Sequence, residues 1–153
     1  MTKKITLTIF VLLFFFFKTF SQTTSSDDRM TQDWISISLA FTGQNVQNGV
    51  EASCQLAKCN GEDVVLLRFI NHNTEAVKIE WNDAVFTKEL KWVSKENVTE
   101  KKSLIIKTNE TVQGECTGNN QTQLVVKVSD FIKTLDDFKR YGVTAFQVTF
   151  IKK

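Results

Sequence analysis

Three cysteines are the residues of this sequence that are most able to do chemistry. Cys54 and Cys59 lie in the stretch CQLAKCNGED, and Cys116 ends the later stretch TVQGEC. Such a set suits a metal site, a redox pair or a disulfide. Structural zinc takes four ligands, and thiol redox motifs usually place two residues between their cysteines, whereas four residues separate Cys54 from Cys59. The spacing therefore favours a disulfide, and we expect neither a metal ion nor another cofactor.

Three cysteines allow three single disulfides, which physical arguments rank without deciding between them. Cys59–Cys116 ranks first, because Cys59 precedes a predicted central strand and Cys116 lies at the end of another strand. The long loop closed by this bond is worth about 4 kcal/mol in the chain-entropy model, against roughly 2 kcal/mol for Cys54–Cys59. Cys54–Cys116 closes a similar loop and ranks second. Cys54–Cys59 ranks third, since it also needs a tight turn.

The adjacent carboxylates Glu62 and Asp63 are an alternative chemical site. Two carboxylates across a cleft hydrolyse glycosidic bonds, so a small carbohydrate-active or other hydrolytic enzyme is an alternative function. Neighbouring residues on a strand point to opposite faces, however. The sequence also has no GxSxG, HExxH or P-loop motif. We therefore predict no catalytic residue and a protein that is not an enzyme.

Three aromatic residues, Trp34, Trp92 and Tyr141, are candidates for a binding surface. Trp34 has the opposite parity from the apolar residues that follow it, which would leave it exposed on a sheet face. An exposed tryptophan can stack on a sugar ring or contact a protein. The three residues form one surface only if the fold brings them together. The loop 43–50 (GQNVQNGV) is a further candidate surface.

Residues 1–21 have the pattern of a secretory signal peptide. A basic start precedes the apolar run ITLTIFVLLFFFF (5–17), and Thr19 and Ser21 suit the −3 and −1 positions of a cleavage site. The apolar run has 13 residues, whereas a membrane span needs about 18–20. We therefore expect cleavage, no stable membrane insertion after it, and export to the periplasm or the extracellular space.

Removal of the leader changes the charge of the chain. Three of the 19 basic residues belong to the leader and none of the 17 acidic residues does, so that 16 basic residues remain and the formal net charge becomes −1. Without a basic surface, nucleic acid is not an expected partner. The polar residues 22–32 (QTTSSDDRMTQ) are predicted to be a flexible lead-in, and residues 33–153 to be a single domain.

Alternation of apolar and polar residues from Trp34 onward predicts an all-β fold. In WISISLAF the apolar residues of one face are Ile35, Ile37, Leu39 and Phe41. The runs VVLLRFI (64–70) and AVKIEW (76–81) are predicted to form a hairpin around the turn NHNTE. Turn residues recur every eight to twelve positions, which favours an Ig-like antiparallel β-sandwich of seven or eight strands.

One segment, SDFIKTLDDFKRYG (129–142), follows helical spacing instead. Its apolar residues are Phe131, Ile132, Leu135 and Phe138. Ser129 or Asp130 can cap the start of a helix, and Gly142 can end it. We therefore predict one short helix or helical turn before the last strand.

Three further stretches are the leader ending in FSQ, the run CNGEDVVLLRFINHNTEAVKIEW and the later NETVQGEC. Together they resemble small exported β-sandwich proteins of Bacteroidota bacteria, for which no activity is known. In those proteins a cysteine before a central strand and another after the ETV-G segment recur, which implies a pair equivalent to Cys59 and Cys116. The resemblance implies a fold and a compartment but no site residues.

The expected function is a secreted or periplasmic binding module that is not an enzyme. Its partner would be a protein or a glycan, bound through a sheet face or loops. An accessory subunit that pairs with a larger protein through an exposed strand edge is a further alternative. Neither the partner nor the oligomeric state follows from the sequence.

Overall fold

The computed structural model describes residues 33–39, 43–95, 101–117 and 122–152. Its strands are β1 (Ile35–Ser36), β2 (Val46–Gln47), β3 (Val50–Cys59), β4 (Glu62–Asn71), β5 (Val77–Thr87), β6 (Trp92–Ser94), β7 (Lys102–Ile106), β8 (Thr111–Gln113), β9 (Val125–Lys127) and β10 (Phe138–Phe150). Single 3-10 turns form at Thr122–Leu124, Val128–Asp130 and Leu135–Asp137. The predicted leader and lead-in (1–32), together with Phe41, lie outside the described residues.

The strands form two antiparallel sheets, which confirms the all-β class. In the first sheet the strand order is β1-β3-β4-β8, with β2 also paired to β3 and β9 also paired to β4. In the second sheet the order is β10-β5-β6, with β7 also paired to β5. The described residues thus contain ten strands rather than the predicted seven or eight.

The core lies between β4 of the first sheet and β5 of the second. Leu67 and Phe69 of β4 and Ile79 and Trp81 of β5 are completely buried there. The ring centroids of Phe69 and Trp81 are 5.0 Å apart, a distance typical of a favourable aromatic pair. The alternation in AVKIEW, which places Val77, Ile79 and Trp81 on one face, thus agrees with the buried face of β5.

The predicted hairpin between residues 64–70 and 76–81 is wrong. β4 pairs with β3, β8 and β9, whereas β5 pairs with β10, β6 and β7. The chain leaves the first sheet after Asn71 and enters the second at Val77. A strand, a short polar turn and a second strand suit a hairpin and a sheet-to-sheet crossing equally well, so local sequence does not distinguish the two.

The side chain of Asn71 holds this crossing in place. It is completely buried, and its Nδ2 donates to the carbonyl oxygens of Glu75 and Lys107, both at 2.9 Å, and of Ile106 at 3.4 Å. Its Oδ1 accepts the backbone N–H of Asn73 at 3.0 Å. The side-chain amide of Asn71 therefore hydrogen-bonds backbone groups of both the turn after β4 and the end of β7.

Two Asn-Gly pairs form the actual hairpins, on either side of β3. Asn48 and Gly49 have φ of 47° and 73° between β2 and β3, and Asn60 and Gly61 have φ of 53° and 85° between β3 and β4. Two-residue loops with positive φ at both positions are type I′ turns, for which Asn-Gly is strongly preferred. The residues 43–50, predicted as a loop, therefore contain β2 and this turn.

The segment 129–142 contains no α-helix. Two 3-10 turns form there, and Thr134 between them is extended, with φ −136° and ψ 146°. β10 already begins at Phe138, and Gly142, which was expected to end the helix, pairs with Ala84 of β5. The apolar residues at helical spacing therefore lie in or beside 3-10 turns and at the start of β10, rather than in an α-helix.

Candidate binding cleft

A cleft of about 1560 Å³ lies between the edges of the two sheets, at β1 and β10. Its apolar lining comprises Ile37, Leu39, Leu56, Val65, Val143 and Phe146. β10 is thirteen residues long, and among the described strands it pairs only with β5, along one of its edges. At the facing edge, β1 spans only two residues. This side of the sandwich is therefore open and apolar.

The exposure of Ile35 shows how open the cleft is. Ile35 pairs directly with Cys54 across β1 and β3, and directly paired residues lie on the same face of a sheet. Both side chains line the cleft. Ile35 nevertheless remains 51% exposed, against 4% for Ile37 and for Leu39. An apolar side chain at the mouth of the cleft thus meets water.

An aromatic pair forms the outer rim of the cleft. Trp92 is 49% exposed, and its ring centroid lies 5.0 Å from that of Phe86 at a tilt of 49°. The indole reaches from β6 to β10, where a Cβ added to Gly142 would lie 2.6 Å from Cη2 of Trp92. A side chain at position 142 would therefore displace the indole.

Cationic side chains surround this aromatic pair. Arg140 Cζ lies 4.8 Å from the Phe86 ring centroid and 5.4 Å from that of Trp92. Lys139 Nζ lies 5.5 Å from the Phe86 centroid. Lys88 also lines the cleft. The described residues that line the cleft include no Asp or Glu. The rim is therefore positively charged, although the expected mature chain is slightly acidic.

Tyr141 connects the cleft to a buried carboxylate. Its hydroxyl donates to Asp83 Oδ1 at 2.6 Å, and Trp81 Nε1 donates to the same oxygen at 3.0 Å. Lys102 Nζ lies 2.6 Å from Asp83 Oδ2. Burial, and then the negative charge of Asp83, raise the pKa of Tyr141 well above its ordinary value. The Asp83 carboxylate is thus held by three donors and is structural rather than available as a base.

Sequence reasoning missed Asp83, although a signal was present. Asp83 continues the inward parity of Val77, Ile79 and Trp81 on β5. A carboxylate at a core-facing position needs charged or hydrogen-bonding partners in the folded protein. The inward parity of Asp83 therefore indicates a polar cluster in the interior of the fold.

Cys54 is the free cysteine of the described chain. It lines the cleft, and burial raises the pKa of its thiol to about 12. Because the thiolate is the reactive form, this thiol is a poor nucleophile and a poor metal ligand at neutral pH. Among the described residues, no three His, Cys, Asp or Glu side chains are grouped to hold a metal ion.

We expect the partly buried thiol of Cys54 to make the free energy of unfolding depend on pH in the alkaline range. The folded chain keeps the Cys54 proton up to about pH 12, whereas the unfolded chain releases it near 9.0. The stabilisation is complete below pH 9 and is lost as the pH rises towards 12, by about 2 kcal/mol at about pH 10.5. Ionisation of Tyr141 in the unfolded chain lowers the free energy of unfolding further above about pH 10. Urea unfolding at several pH values measures this decrease.

The Cys54→Ala variant is the control for this prediction. It lacks the thiol, so its stability should stay level up to about pH 10, where tyrosine begins to titrate. A wild-type protein whose free energy of unfolding is the same at about pH 8 and 10.5 would contradict the burial of the thiol.

The structure brings two of the three predicted surface aromatics together. Trp92 and Tyr141 both line the cleft, although Tyr141 is only 3% exposed. Trp34 lies elsewhere, on the outer face of the first sheet, where it packs against the cluster formed by Cys59, Val64 and Leu66. The guanidinium of Arg68 lies 4.6 Å from its ring centroid. The role of these aromatics in binding stays a prediction.

The cysteines pair as predicted. Cys59 and Cys116 form the disulfide, with a Cα–Cα distance of 5.1 Å, and Cys54, the alternative partner of Cys116, remains a thiol. Cys59 is the last residue of β3 rather than a loop residue. The bond therefore joins the end of β3 to the segment that follows β8.

The alternative catalytic carboxylates are occupied by ion pairs. Glu62 Oε2 lies 2.7 Å from Lys127 Nζ, and Asp63 Oδ1 lies 3.6 Å from Lys58 Nζ. Neither carboxylate lines the cleft. Their surroundings therefore give no support to hydrolysis at these two residues.

A smaller cavity of about 350 Å³ lies near Asp83 on the β7 and β9 side. Three lysines line it, and each is paired with a carboxylate. The Nζ–O distances are 2.6 Å for Lys95–Asp130, 2.6 Å for Lys102–Asp83 and 2.7 Å for Lys127–Glu62. The lysine charges around this cavity are thus neutralised. The rim of the large cleft is therefore the more favourable surface for binding an anionic group.

Comparisons with family models, with curated proteins and with solved structures gave no match to this chain. The function is therefore argued from the geometry of the cleft.

Proposed function

We propose that this chain is an exported binding module, not an enzyme, that holds an extended segment of a partner protein in the cleft. The observation that carries the proposal is the edge of β10 that no described strand pairs with, which lies beside an apolar groove. Free backbone N–H and C=O groups along an edge accept a further strand. In strand addition these groups give affinity, and pockets for alternate side chains give specificity.

The disulfide supports the proposed export. The Cys59–Cys116 disulfide is compatible with an oxidising compartment. None of the helical segments in the described ranges is long and apolar enough to cross a bilayer. The Ig-like assignment of the sandwich and the similarity to exported Bacteroidota proteins are part of the same proposal.

A pair of isoleucine variants tests where the partner binds. Ile35 at the mouth of the cleft and Ile105 on β7 are 51% and 59% exposed, and Ile105 does not line the cleft. We expect Ile35→Lys to weaken binding by about tenfold or more, because a partner that fills the cleft buries this side chain. Ile105→Lys should leave binding unchanged.

The measurement uses peptides selected from a random displayed library on the mature chain. Their dissociation constants are determined by fluorescence anisotropy with the wild type and both variants, whose folding is checked by urea unfolding. Peptides whose affinity falls equally in both variants, or in neither, would contradict binding in the cleft.

A further inference from the structure

We propose that the segment bound in the cleft alternates apolar and acidic side chains over about five residues. This inference rests on the proposed function, since it specifies the chemistry of the partner at the same site. It follows from the length of the regular edge of β10 and from the different character of the two faces of that edge.

Two bulges set the length of the usable edge. The register of β10 on β5 shifts between Phe138 and Arg140 and again between Thr144 and Gln147. Ala145, inside the second irregularity, has φ 52°. Bulges bend a strand and disrupt its ladder. Regular pairing is therefore available along Arg140–Thr144, a stretch of five residues or about 17 Å.

The inner face of this stretch calls for apolar side chains. Tyr141 and Val143 are buried and line the cleft together with Leu56. A strand added beside β10 places every second side chain on this face. Those side chains would enter the cleft and cover Ile35, the exposed apolar residue at its mouth.

The outer face of this stretch favours acidic side chains in the partner segment. Arg140 stacks on Phe86 and Trp92, and Lys139 lies over Phe86. A guanidinium that lies over aromatic rings can still bind a carboxylate in bidentate geometry through its N–H groups. No acidic residue of the described chain lines this rim, in contrast to the paired lysines around the smaller cavity. Acidic side chains of the partner would neutralise the positive charges of Lys139 and Arg140.

A glycan fits this surface less well. The indole of Trp92 packs against the backbone of Gly142, and Arg140 lies over the ring. A sugar ring that stacks on Trp92 would have to displace the guanidinium. An extended peptide uses Arg140 where it is and also pairs with the edge of β10.

The test compares two synthetic peptides, one alternating valine and glutamate and one alternating valine and glutamine, each flanked by Gly-Ser. We expect the glutamate peptide to bind about tenfold more tightly at low salt, with a smaller difference at high salt. Arg140→Gln should abolish the difference, while Lys133→Gln, an exposed lysine that does not line the cleft, should preserve it. Alternate backbone amides of 140–144 should gain protection from hydrogen exchange.

The outcomes separate this inference from the proposed function. Equal affinity for both peptides, with protection at 140–144 retained, overturns the acidic partner but supports strand binding. Binding without protection at 140–144 overturns both proposals. Failure of the glutamate peptide to bind, together with Arg140-dependent binding of polygalacturonate, overturns the peptide assignment in favour of an acidic glycan.

Discussion

Replacing both Cys59 and Cys116 with serine is expected to lower the free energy of unfolding by about 4 kcal/mol. The bond closes a sequence separation of 57 residues, and a closed loop of this length strongly restricts the unfolded chain. It also joins the end of β3 to the segment after β8, the two strands that flank β4. Urea unfolding of the double variant and the wild type measures the difference.

Thiol counting provides the control for the disulfide prediction. Alkylation of the exported protein under denaturing conditions should modify one thiol without reduction and three after it, as seen by intact mass. The Cys54→Ala variant should still lose about 4 kcal/mol on reduction, because its disulfide is intact. Three modified thiols without reduction, or a double variant as stable as the wild type, would contradict this account of the fold.

Asn71→Ala is expected to destabilise the fold by about 3 kcal/mol or more, since an unsatisfied buried polar group costs about 1–3 kcal/mol. The substitution removes the donor for the carbonyl oxygens of Glu75, Ile106 and Lys107. It also removes the acceptor for the backbone N–H of Asn73. All these groups lie where the chain crosses between the sheets. The free energy of unfolding in urea is the measurement.

Asn45→Ala is the matched control for Asn71. Asn45 Nδ2 makes one exposed hydrogen bond, to Ser36 Oγ at 3.3 Å, and its loss should cost about 0.5 kcal/mol or less. Equal destabilisation by the two substitutions would show that Asn71 does not hold the crossing.

Strong local signals predicted part of this fold correctly. Apolar runs predicted strands at 64–70 and 76–81, which overlap β4 and β5, because strands buried on one face alternate and strands buried on both faces are continuously apolar. The Cys59–Cys116 disulfide was ranked first, without excluding Cys54–Cys116, because Cys59 precedes one predicted strand and Cys116 ends another. These features depend on short stretches or on a single pair of residues.

Non-local contacts explain what the sequence did not predict. The crossing after Asn71 depends on carbonyl oxygens of Ile106 and Lys107, 35 and 36 residues away. The ten-residue β3 was missed because its inward face carries small residues such as Ala52 and Cys54, which give a weak alternation. Its two Asn-Gly turns were the clearest overlooked signal.

The candidate site was the least predictable part of the molecule. The cleft exists because the edges of β1 and β10, far apart in the chain, face each other across the sandwich. Trp92 joins it only because Gly142 leaves room for the indole on β10. Parity placed Trp34 on an outer face, but it could not say which residues cover that face.

The interrupted edge of β10 also bears on how the protein behaves at high concentration. Long, flat strand edges recruit further copies of the same chain, and stacked cross-β assemblies grow from segments of six or seven residues. Bulges at both ends of Arg140–Thr144 leave a shorter stretch than that. If the proposed strand addition occurs, this stretch would accept one short strand of a partner, and it is shorter than the segments from which cross-β assemblies grow.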